Sequence, residues 1–527
     1  MQKTVQLTIL PSEAAQPELV RQYVAKSVGV HLHEISGYHI QKRSIDGRGR
    51  QPRAVLTIRV FIGERFEEEK PVIIRFPDVS HAKRKVIIIG AGPAGLFAAL
   101  RLIERGIKPV LIDRGKEVRA RRRDIAILNR QGLINPDSNY CFGEGGAGTY
   151  SDGKLYTRSD KRGDVRRIQH LFVQFGATAD ILTEAHPHIG TNKLPSIISA
   201  MRMQIESSGG IVHYNKKLVD FSINEGIIKI IKTSDGDMLE AAAVILATGH
   251  SARDIFQLLE QKKVHIESKP FALGVRIEHP QELIDRIQYH TITRNIHLPP
   301  ASYRISEQIG GRGVFSFCMC PGGIIAPAST NACELVVNGW SPSKRDNPFA
   351  NSGMVVNIDN NIALTYLKKE QKKIRFSDGL LLMEFQRAIE EKAFAAGGGK
   401  FVAPAQRMTD FVAGTHSGSL PACSYIPGVR ESALREVLPD VVYETLRQAF
   451  VDFGKRMKGY FTDEALVVAA ESRTSSPVRI PRDPHLLHHP EIQNLYPCGE
   501  GPGYAGGIMS AAMDGERIAS LVADKFS

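Results

Sequence analysis

The chain is poor in cysteine, and its cysteines form no recognisable framework. Six occur in 527 residues, with no Cys-x-x-Cys pair and no zinc-type spacing with histidine. Neither a disulfide scaffold nor a metal site is therefore expected, and a reducing cytoplasm is the predicted location. The N-terminus lacks a charged segment followed by an apolar core, and no run of about 18 uninterrupted apolar residues occurs. We expect a soluble cytoplasmic protein with no membrane span.

Acidic residues are outnumbered, which gives a net charge of +12 and a pI near 9.3. The basic residues are spread along the chain, as expected if they serve an anionic ligand and general solubility. Two local clusters keep a nucleic-acid or anionic-surface partner open as an alternative. They are Lys42, Arg43, Arg48, Arg50 and Arg53 in an early loop, and Arg119, Arg121, Arg122 and Arg123 further on.

The most specific motif is a glycine fingerprint, Val86-Ile-Ile-Ile-Gly-Ala-Gly-Pro-Ala-Gly95. It follows an aliphatic run over 85–89, typical of a buried parallel strand, and precedes a helix predicted over 94–105. A second strand then leads to Asp113, which is placed to accept hydrogen bonds from an adenosine ribose. Gly90 suits the tight turn, Gly92 the approach of a pyrophosphate, and Gly95 close helix packing. We predict a bound dinucleotide; the alternative is a glycine-rich turn in an ordinary α/β fold.

The chain is long enough for two or three domains. Residues 1–80 read as a small β-α-β-β unit of the α+β class, with a hairpin across a basic turn. We predict an α/β fold, with a Rossmann-like dinucleotide-binding domain over 81–265 and 456–527 and an inserted α+β substrate or cap domain over 266–455. The inserted part lacks a second such fingerprint after a strand, so it holds no independent NAD-binding domain.

Further motifs support a resemblance to a known family. They are Phe142-Gly-Glu-Gly-Gly-Ala-Gly-Thr-Tyr-Ser-Asp-Gly-Lys-Leu155, His186-Pro-His-Ile-Gly-Thr191, Ala243-Val-Ile-Leu-Ala-Thr-Gly249, Glu471-Ser-Arg-Thr-Ser-Ser-Pro-Val-Arg-Ile480 and Cys498-Gly-Glu-Gly-Pro-Gly-Tyr-Ala-Gly-Gly507. With the fingerprint, the chain resembles FAD-dependent oxidoreductases of the two-dinucleotide-binding-domain superfamily. More narrowly, it resembles a bacterial family of uncharacterised FAD-dependent proteins or NAD-utilising dehydrogenases.

The resemblance implies FAD, with Gly90, Gly92 and Gly95 at the pyrophosphate, Asp113 at the ribose and Glu500 near the ribityl chain. The full set of implied FAD contacts is Gly90, Ala91, Gly92, Pro93, Ala94, Gly95, Asp113, Arg114, Gly145, Gly146, Ala147, Gly148, Lys154, Val219, Ala247, Thr248, Gly249, Arg253, Gly499, Glu500, Gly506, Gly507 and Ile508.

Four residues are candidates for catalysis, and each has a structural alternative. Lys154 can place positive charge near the flavin or be solvated, and His188 can donate a proton or hold a turn with His186. Cys318 can form a redox pair with Cys320, or the pair can lie in a tight loop beside Gly322 and Gly323. Arg473, like Arg479, can bind an anionic substrate or a flavin carbonyl, or it can hold the loop before the last strand.

The expected function is that of an FAD-dependent oxidoreductase that moves a hydride or electrons through non-covalent flavin, specifically an NAD(P)H-linked dehydrogenase. NADH or NADPH would be a transient substrate. Two alternatives stay open: an RNA-modifying flavoprotein, and a non-enzymatic FAD-containing protein that captures an anionic partner. The sequence identifies neither the small-molecule substrate nor the oligomeric state.

Overall fold

The N-terminal unit is a three-stranded antiparallel sheet covered by a helix. The computed structural model of the chain describes residues 1–68, 72–157, 163–372 and 377–526. The unit consists of β1 (Gln2–Ile9), α1 (Pro11–Ala14), α2 (Pro17–Val28), β2 (Ile35–Asp46) and β3 (Arg53–Ile62). The sheet order is β1-β3-β2, and α2 buries Val20 and Val24 against it. The predicted β-α-β-β order is therefore present.

The next segment of chain builds most of a parallel sheet and its covering helices. Its elements are β4 (Lys85–Ile89), α3 (Pro93–Glu104), β5 (Lys108–Ile112), α4 (Val118–Gln131), α5 (Val165–Gln174), α6 (Leu194–Ser207), β6 (Ile211–His213), β7 (Leu218–Asn224), β8 (Ile227–Thr233), β9 (Met238–Glu240), β10 (Val244–Leu246) and α7 (Arg253–Gln261).

The inserted domain follows, and the chain then returns to the parallel sheet. The elements of this part are β11 (Glu267–Ser268), β12 (Phe271–Pro280), α8 (Gln281–Tyr289), β13 (Ser306–Ile309), β14 (Arg312–Cys320), β15 (Ile324–Pro327), β16 (Val337–Trp340), β17 (Phe349–Ile358), α9 (Asn360–Lys369), α10 (Leu381–Gly397), β18 (Ala403–Arg407), α11 (Met408–Ala413), β19 (Val429–Glu431), α12 (Leu434–Val437), α13 (Asp440–Arg456), β20 (Leu466–Glu471), β21 (Val478–Arg479), β22 (Leu495–Pro497) and α14 (Ile508–Phe526).

The parallel sheet has the order β22-β10-β4-β5-β6, with β4 at its centre. The residues of β4 alternate between two apolar cores, as expected for a strand covered on both faces. Ile88 faces the core formed with α3, α5, α6 and α14, whereas Ile87 and Ile89 face the core formed with β7, β8 and α7. This is an α/β fold in which the loops at the carboxyl ends of the strands are free to hold a ligand.

The inserted domain is a mixed sheet of order β13-β14-β17-β12-β20-β18-β19. Strand β20 pairs antiparallel with β12, so the predicted start of the second FAD-binding part at residue 456 is wrong. The chain leaves this sheet only after Glu471. The two chain segments that connect the domains pair with each other through the short strands β11 and β21. The error arises because β20 is an aliphatic run that either sheet could bury, and its partner is distant in sequence.

The predicted boundary at residue 80 also lies too late. The Ile74 amide donates to the Gln174 side chain at the end of α5, and the Val79 amide donates to the Ser208 carbonyl after α6. Residues 72–80 therefore pack against the helices of the parallel-sheet domain. The sequence also predicts a linker over 71–84, of which Pro71 lies outside the described residues. Among the helices described, none is long and apolar enough to cross a membrane.

A buried histidine gives the inserted domain a predictable response to acid. His279 at the end of β12 is fully buried, and its Nε2 lies 2.8 Å from the Tyr460 carbonyl oxygen. Burial lowers the pKa of His279 from 6.5 to about 4, although this hydrogen bond favours the protonated ring. Between these two pH values the unfolded chain binds the additional proton, so stability that is present above pH 6.5 is lost as the pH falls towards 4.

We therefore expect the free energy of unfolding to fall between pH 7 and pH 5 by about 2 kcal/mol more in the native protein than in a His279→Gln variant. Urea unfolding of both proteins at the two pH values measures the difference. Equal pH dependence in the two proteins would show that His279 is not the group responsible.

Candidate functional site

The glycine fingerprint forms the turn between β4 and α3. Gly90 has a φ of +107°, and a Cβ atom there would lie 2.4 Å from the Ala247 carbonyl oxygen. A Cβ atom on Gly95 would lie 1.9 Å from the Gly90 carbonyl oxygen, so strand and helix approach to backbone contact. Gly92 is the N-cap of α3 and is partly exposed. The turn thus presents the amides of a helix N-terminus, the usual site for a pyrophosphate.

Asp113 follows β5 and braces this turn. Its Oδ2 accepts a hydrogen bond from the Ala91 amide at 2.8 Å, and its Oδ1 accepts one from the Gly115 amide at 2.8 Å. Each carboxylate oxygen has a second lone pair, so these bonds leave the predicted ribose contact available. Arg114 pairs instead with Asp254 and Asp137 and lies 4.5 Å above the Phe142 ring.

A second glycine-rich turn packs directly on the first. The Gly145 amide donates to the Ala91 carbonyl at 2.8 Å, and a Cβ atom on Gly146 would lie 3.0 Å from Gly92 Cα. A Cβ atom on Gly148 would lie 3.1 Å from Pro93 Cγ and 3.4 Å from Ile508 Cγ1, at the start of α14. Residues 145–148, the fingerprint and the α14 N-terminus therefore meet at one place.

Arg121 holds this second turn, a role that sequence analysis missed. The side chain is fully buried, and its guanidinium donates to the carbonyl oxygens of Asn139, Tyr140, Glu144 and Gly146 at 2.7–2.9 Å. The available signal was helical spacing, because Arg121 shares the buried face of α4 with Val118, Ile125 and Leu128. Arg121 therefore does not belong to a surface cluster, whereas Arg119, Arg122 and Arg123 are exposed.

Two further loops lie at the carboxyl edge of the parallel sheet, beside the two glycine turns. After β10, the Ala247-Thr-Gly249 segment lies beside the loop after β22, since a Cβ atom on Gly501 would lie 2.7 Å from the Gly249 carbonyl oxygen. The Gly499 amide donates to Asp514 of α14 at 2.8 Å. Glu500 lies 3.3 Å from His250 Nδ1, a buried atom with no hydrogen-bond partner among the described residues.

Three glycines at this edge face open space. Apart from the two chain neighbours of each glycine, no heavy atom of the described residues lies within 4 Å of a Cβ built on Gly249, Gly506 or Gly507. Three glycine turns meet here: the fingerprint, residues 145–148 and the loop over 499–507. With two helix N-termini and this open space, they fit a dinucleotide such as FAD. Val219 in β7 is exposed further along the same domain. Contact of each predicted residue with FAD stays a prediction.

Arg253 and Arg473, both predicted ligand-binding residues, lie together in a buried ion-pair cluster. Glu390 of α10 accepts from Arg253 Nη2 and from Arg473 Nη2, each at 2.9 Å, and Arg253 Nη1 lies 2.9 Å from Glu334. Burial favours the protonated form of Glu390, but the two guanidinium groups lower its pKa to about 2. The cluster joins α7 of the parallel-sheet domain to the inserted domain, a structural role for both arginines.

Lys154 lies at the other contact between the domains, beside two cysteines. Its Nζ is bonded to the Met319 carbonyl oxygen and lies 3.7 Å from Cys318 Sγ and 3.9 Å from Cys320 Sγ. Burial opposes the ammonium charge, yet the two sulfurs and Asp152 raise the pKa of Lys154. Both cysteines lie in β14, at an irregularity in its pairing with β17, and a tight turn at Pro321 and Gly322 follows them directly.

His188 contacts the same domain boundary. Its Nε2 lies 3.2 Å from the Ser343 carbonyl oxygen, and burial together with Arg345 lowers its pKa. The ring is therefore neutral at pH 7, while His186 lies against Tyr156 with ring centroids 4.7 Å apart. Across the described ranges, no group of three His, Cys, Asp or Glu side chains is arranged to hold a metal ion.

A cleft of about 570 Å³ opens on the inserted sheet. Phe271, Phe315 and Phe317 supply aromatic surface, whereas Arg312 and Thr474 supply polar groups. Thr474 immediately follows Arg473 in the sequence, so the cleft lies next to the buried ion-pair cluster. An apolar wall with few polar groups is typical of a small-molecule site.

Comparisons with known proteins agree with this architecture. The model of a family described as "FAD-dependent protein, C-terminal domain-like" matches residues 270–474. A model described as "FAD binding domain" matches residues 83–127, and a domain of unknown function matches residues 1–61. An uncharacterized protein of Clostridium beijerinckii is 37% identical over 527 residues, covering 96% of each chain.

Solved structures are similar only at a distance. The open form of a flavocytochrome c3 fumarate reductase is 11% identical over 84% of this chain and 78% of its own, with a TM-score of 0.34. Glycine oxidase from Bacillus cereus is 14% identical over 84% of this chain and 96% of its own, with a TM-score of 0.31. CtdE in complex with FAD is 9% identical over 84% and 88%, also with a TM-score of 0.31.

The match to the Clostridium protein covers 96% of each chain, and the two FAD-related models match residues 83–127 and 270–474. The chain therefore belongs to the same family of FAD-dependent proteins as that uncharacterized protein.

Proposed function

We propose that this protein is an FAD-dependent oxidoreductase that acts on a small molecule bound between the FAD-binding and inserted domains. The observation that carries the proposal is the meeting of three glycine turns at the carboxyl edge of the parallel sheet. The same edge faces the inserted domain through Lys154 on one side and Arg253 on the other. Placing a ligand at such an edge, beside a second domain, is the usual arrangement of an enzyme of this fold.

The roles of the chain's residues follow from their positions. The α3 N-terminus and Gly145–Gly148 would hold the pyrophosphate, and Asp113 would accept from the ribose hydroxyls. The α14 N-terminus, next to the open space at Gly506 and Gly507, would hold the far end of the cofactor. When bound, FAD would supply hydride and electron transfer. Lys154 carries a positive charge where it favours an anion at the domain boundary.

The proposed electron donor is NADH or NADPH, acting as a transient substrate. Residues 266–455 contain no second fingerprint after a strand, so a nicotinamide nucleotide would dock transiently between the domains and leave after reaction. The cleft of about 570 Å³ on the inserted sheet, which Thr474 helps to line, is large enough to hold part of such a nucleotide.

Anaerobic titration of the purified protein with NADPH and then NADH tests this donor. We expect one of the two nucleotides to bleach the absorption band of the oxidised flavin at about one equivalent. Dithionite serves as the control that the flavin can be reduced. Bleaching by dithionite but by neither nucleotide would contradict the proposed donor and assign the supply of electrons to another substrate or protein.

A further inference from the structure

Two cysteines lie side by side at the end of β14. Phe317 pairs with Gly353 and Cys320 pairs with Asn351, so one extra residue is accommodated between them. Cys318 lies in this irregularity with a φ of +46°, a conformation that non-glycine residues adopt mainly where the surrounding structure imposes it. The Cys320 Sγ lies 3.2 Å from the Cys318 carbonyl oxygen. Cys318 is partly exposed, whereas Cys320 is fully buried.

Charged groups surround this pair, which is unusual for cysteines that only fill a core. Besides Lys154, Arg276 donates from Nη2 to the Cys318 carbonyl oxygen at 2.6 Å and lies 3.7 Å from Cys320 Sγ. Arg276 also pairs with Glu471 at 2.7 Å. Burial raises the pKa of Glu471 to about 7, against the effect of Arg276.

Positive charge next to the pair favours an anionic sulfur. Asp152, the carboxylate nearest Lys154, lies 3.7 Å from its Nζ but is shared with Arg345 at 3.0 Å. Arg276 is fully buried, whereas the Lys154 side chain is 35% exposed and reaches the two sulfurs from the domain boundary. Cations this close to a thiol favour its thiolate form.

The thiol chemistry agrees with this distribution of charge. The neighbouring Cys320 side chain, with Lys154 and Arg276, holds the pKa of Cys318 well below its ordinary value despite burial. The neighbouring Cys318 side chain, with burial, raises the pKa of Cys320. The accessible sulfur is therefore the nucleophile, and the buried one keeps its proton until it reacts.

We propose that Cys318 and Cys320 are a redox-active dithiol that exchanges two electrons with the bound flavin; this inference rests on the proposed function. In the oxidising direction, an S–S bond forms between the Cys318 thiolate and Cys320. The Cys320 S–H bond breaks, and its proton and two electrons pass to oxidised FAD, giving the anionic reduced flavin. The reverse transfer breaks the S–S bond and restores thiolate and thiol.

The position of Lys154 is the structural reason to couple the two groups. The loop that packs on the fingerprint through Gly145 and Gly148 continues to Lys154, whose ammonium contacts the cysteine segment. A disulfide across one intervening residue is strained, and strained disulfides have the more oxidising potentials of labile pairs. Easy reduction is what a pair that cycles with flavin requires.

Alkylation and peptide mass measurement test the pair in the FAD-loaded protein. We expect the peptide that contains Cys318 and Cys320 to carry two alkyl groups after equilibration in reduced dithiothreitol, and an internal disulfide with none after equilibration in the oxidised reagent. A Cys423→Ser variant is the control and should retain the transition, whereas Cys318→Ser and Cys320→Ser should each abolish disulfide formation and keep their FAD. Alkylation of both cysteines after equilibration in either form of the reagent would overturn the inference.

Flavin content, measured on the same samples, separates the two proposals. Protein without FAD would overturn the proposed function. FAD-containing protein whose two cysteines are alkylated under both conditions would overturn only the proposal of a redox-active dithiol. A Lys154→Met variant provides a second readout, the alkylation rate of Cys318 at pH 7. We expect about a tenfold slower rate than in the native protein, because the thiolate loses its ammonium partner. An unchanged rate would overturn the role assigned to Lys154.

Discussion

Replacement of Gly506 by leucine is expected to remove FAD from the protein without unfolding it. The glycine is exposed, and beyond its chain neighbours no heavy atom of the described residues lies within 4 Å of a Cβ built on it. Its backbone does not have a positive φ, so a Cβ atom there meets neither backbone strain nor a protein contact. The new isobutyl group would instead occupy the space beside the α14 N-terminus that is assigned to the cofactor.

The expected effect is an FAD dissociation constant about a hundredfold higher, or about 2.7 kcal/mol of lost binding free energy. Gly418→Leu is the matched control, because Gly418 is also exposed and has no positive φ. Apart from its chain neighbours, no heavy atom of the described residues lies within 4 Å of a Cβ built on it. It lies in the inserted domain and should keep native affinity. Calorimetric titration of the two apoproteins with FAD gives both values. Equal affinities would show that the open space at Gly506 is not part of the cofactor site.

Replacement of Glu390 by glutamine is expected to be among the most destabilising changes to a single buried side chain. Glu390 is fully buried and is the shared partner of Arg253 and Arg473. Neutralising it leaves two buried guanidinium groups with Glu334 as their nearest remaining carboxylate. Removing one partner of a buried ion pair costs about 3–5 kcal/mol, since the remaining charge stays desolvated.

The neighbouring Glu391→Gln variant is the control. Glu391 pairs with Arg387 and Lys372 at the surface, where an ion pair contributes about 0–1 kcal/mol. Chemical unfolding of both variants should therefore show a large loss for Glu390→Gln and almost none for Glu391→Gln. Similar losses in the two variants would contradict the account of the buried cluster as the joint between the domains.

Local sequence patterns predicted the strand and helix on either side of the fingerprint turn well. The strand predicted over 85–89 is β4, and the helix predicted over 94–105 is found as α3 one residue earlier. Both predictions depend on neighbours in sequence: an aliphatic run, glycines at fixed spacing and helical periodicity. The N-terminal hairpin was predictable for the same reason, because a short polar turn separates two runs of alternating residues.

Features that depend on distant partners could not be predicted in this way. Arg253 and Glu390 are 137 positions apart, and nothing near either residue in the sequence indicates the pairing. The same holds for β20, whose partner β12 begins almost 200 residues earlier, and for Lys154 beside Cys318. Charged residues are usually solvated, so a buried cluster of them is seen only when the fold brings the chain segments together.

The most direct test of the account is the identity and amount of flavin that the native protein carries. Denaturation of the purified protein, followed by chromatographic separation and absorbance measurement of the released compound, gives both. We expect FAD, released without a covalent bond, at one molecule per chain. Native folded protein that neither contains flavin nor takes up added FAD would contradict the assignment of the glycine turns, and the proposed chemistry would fall with it.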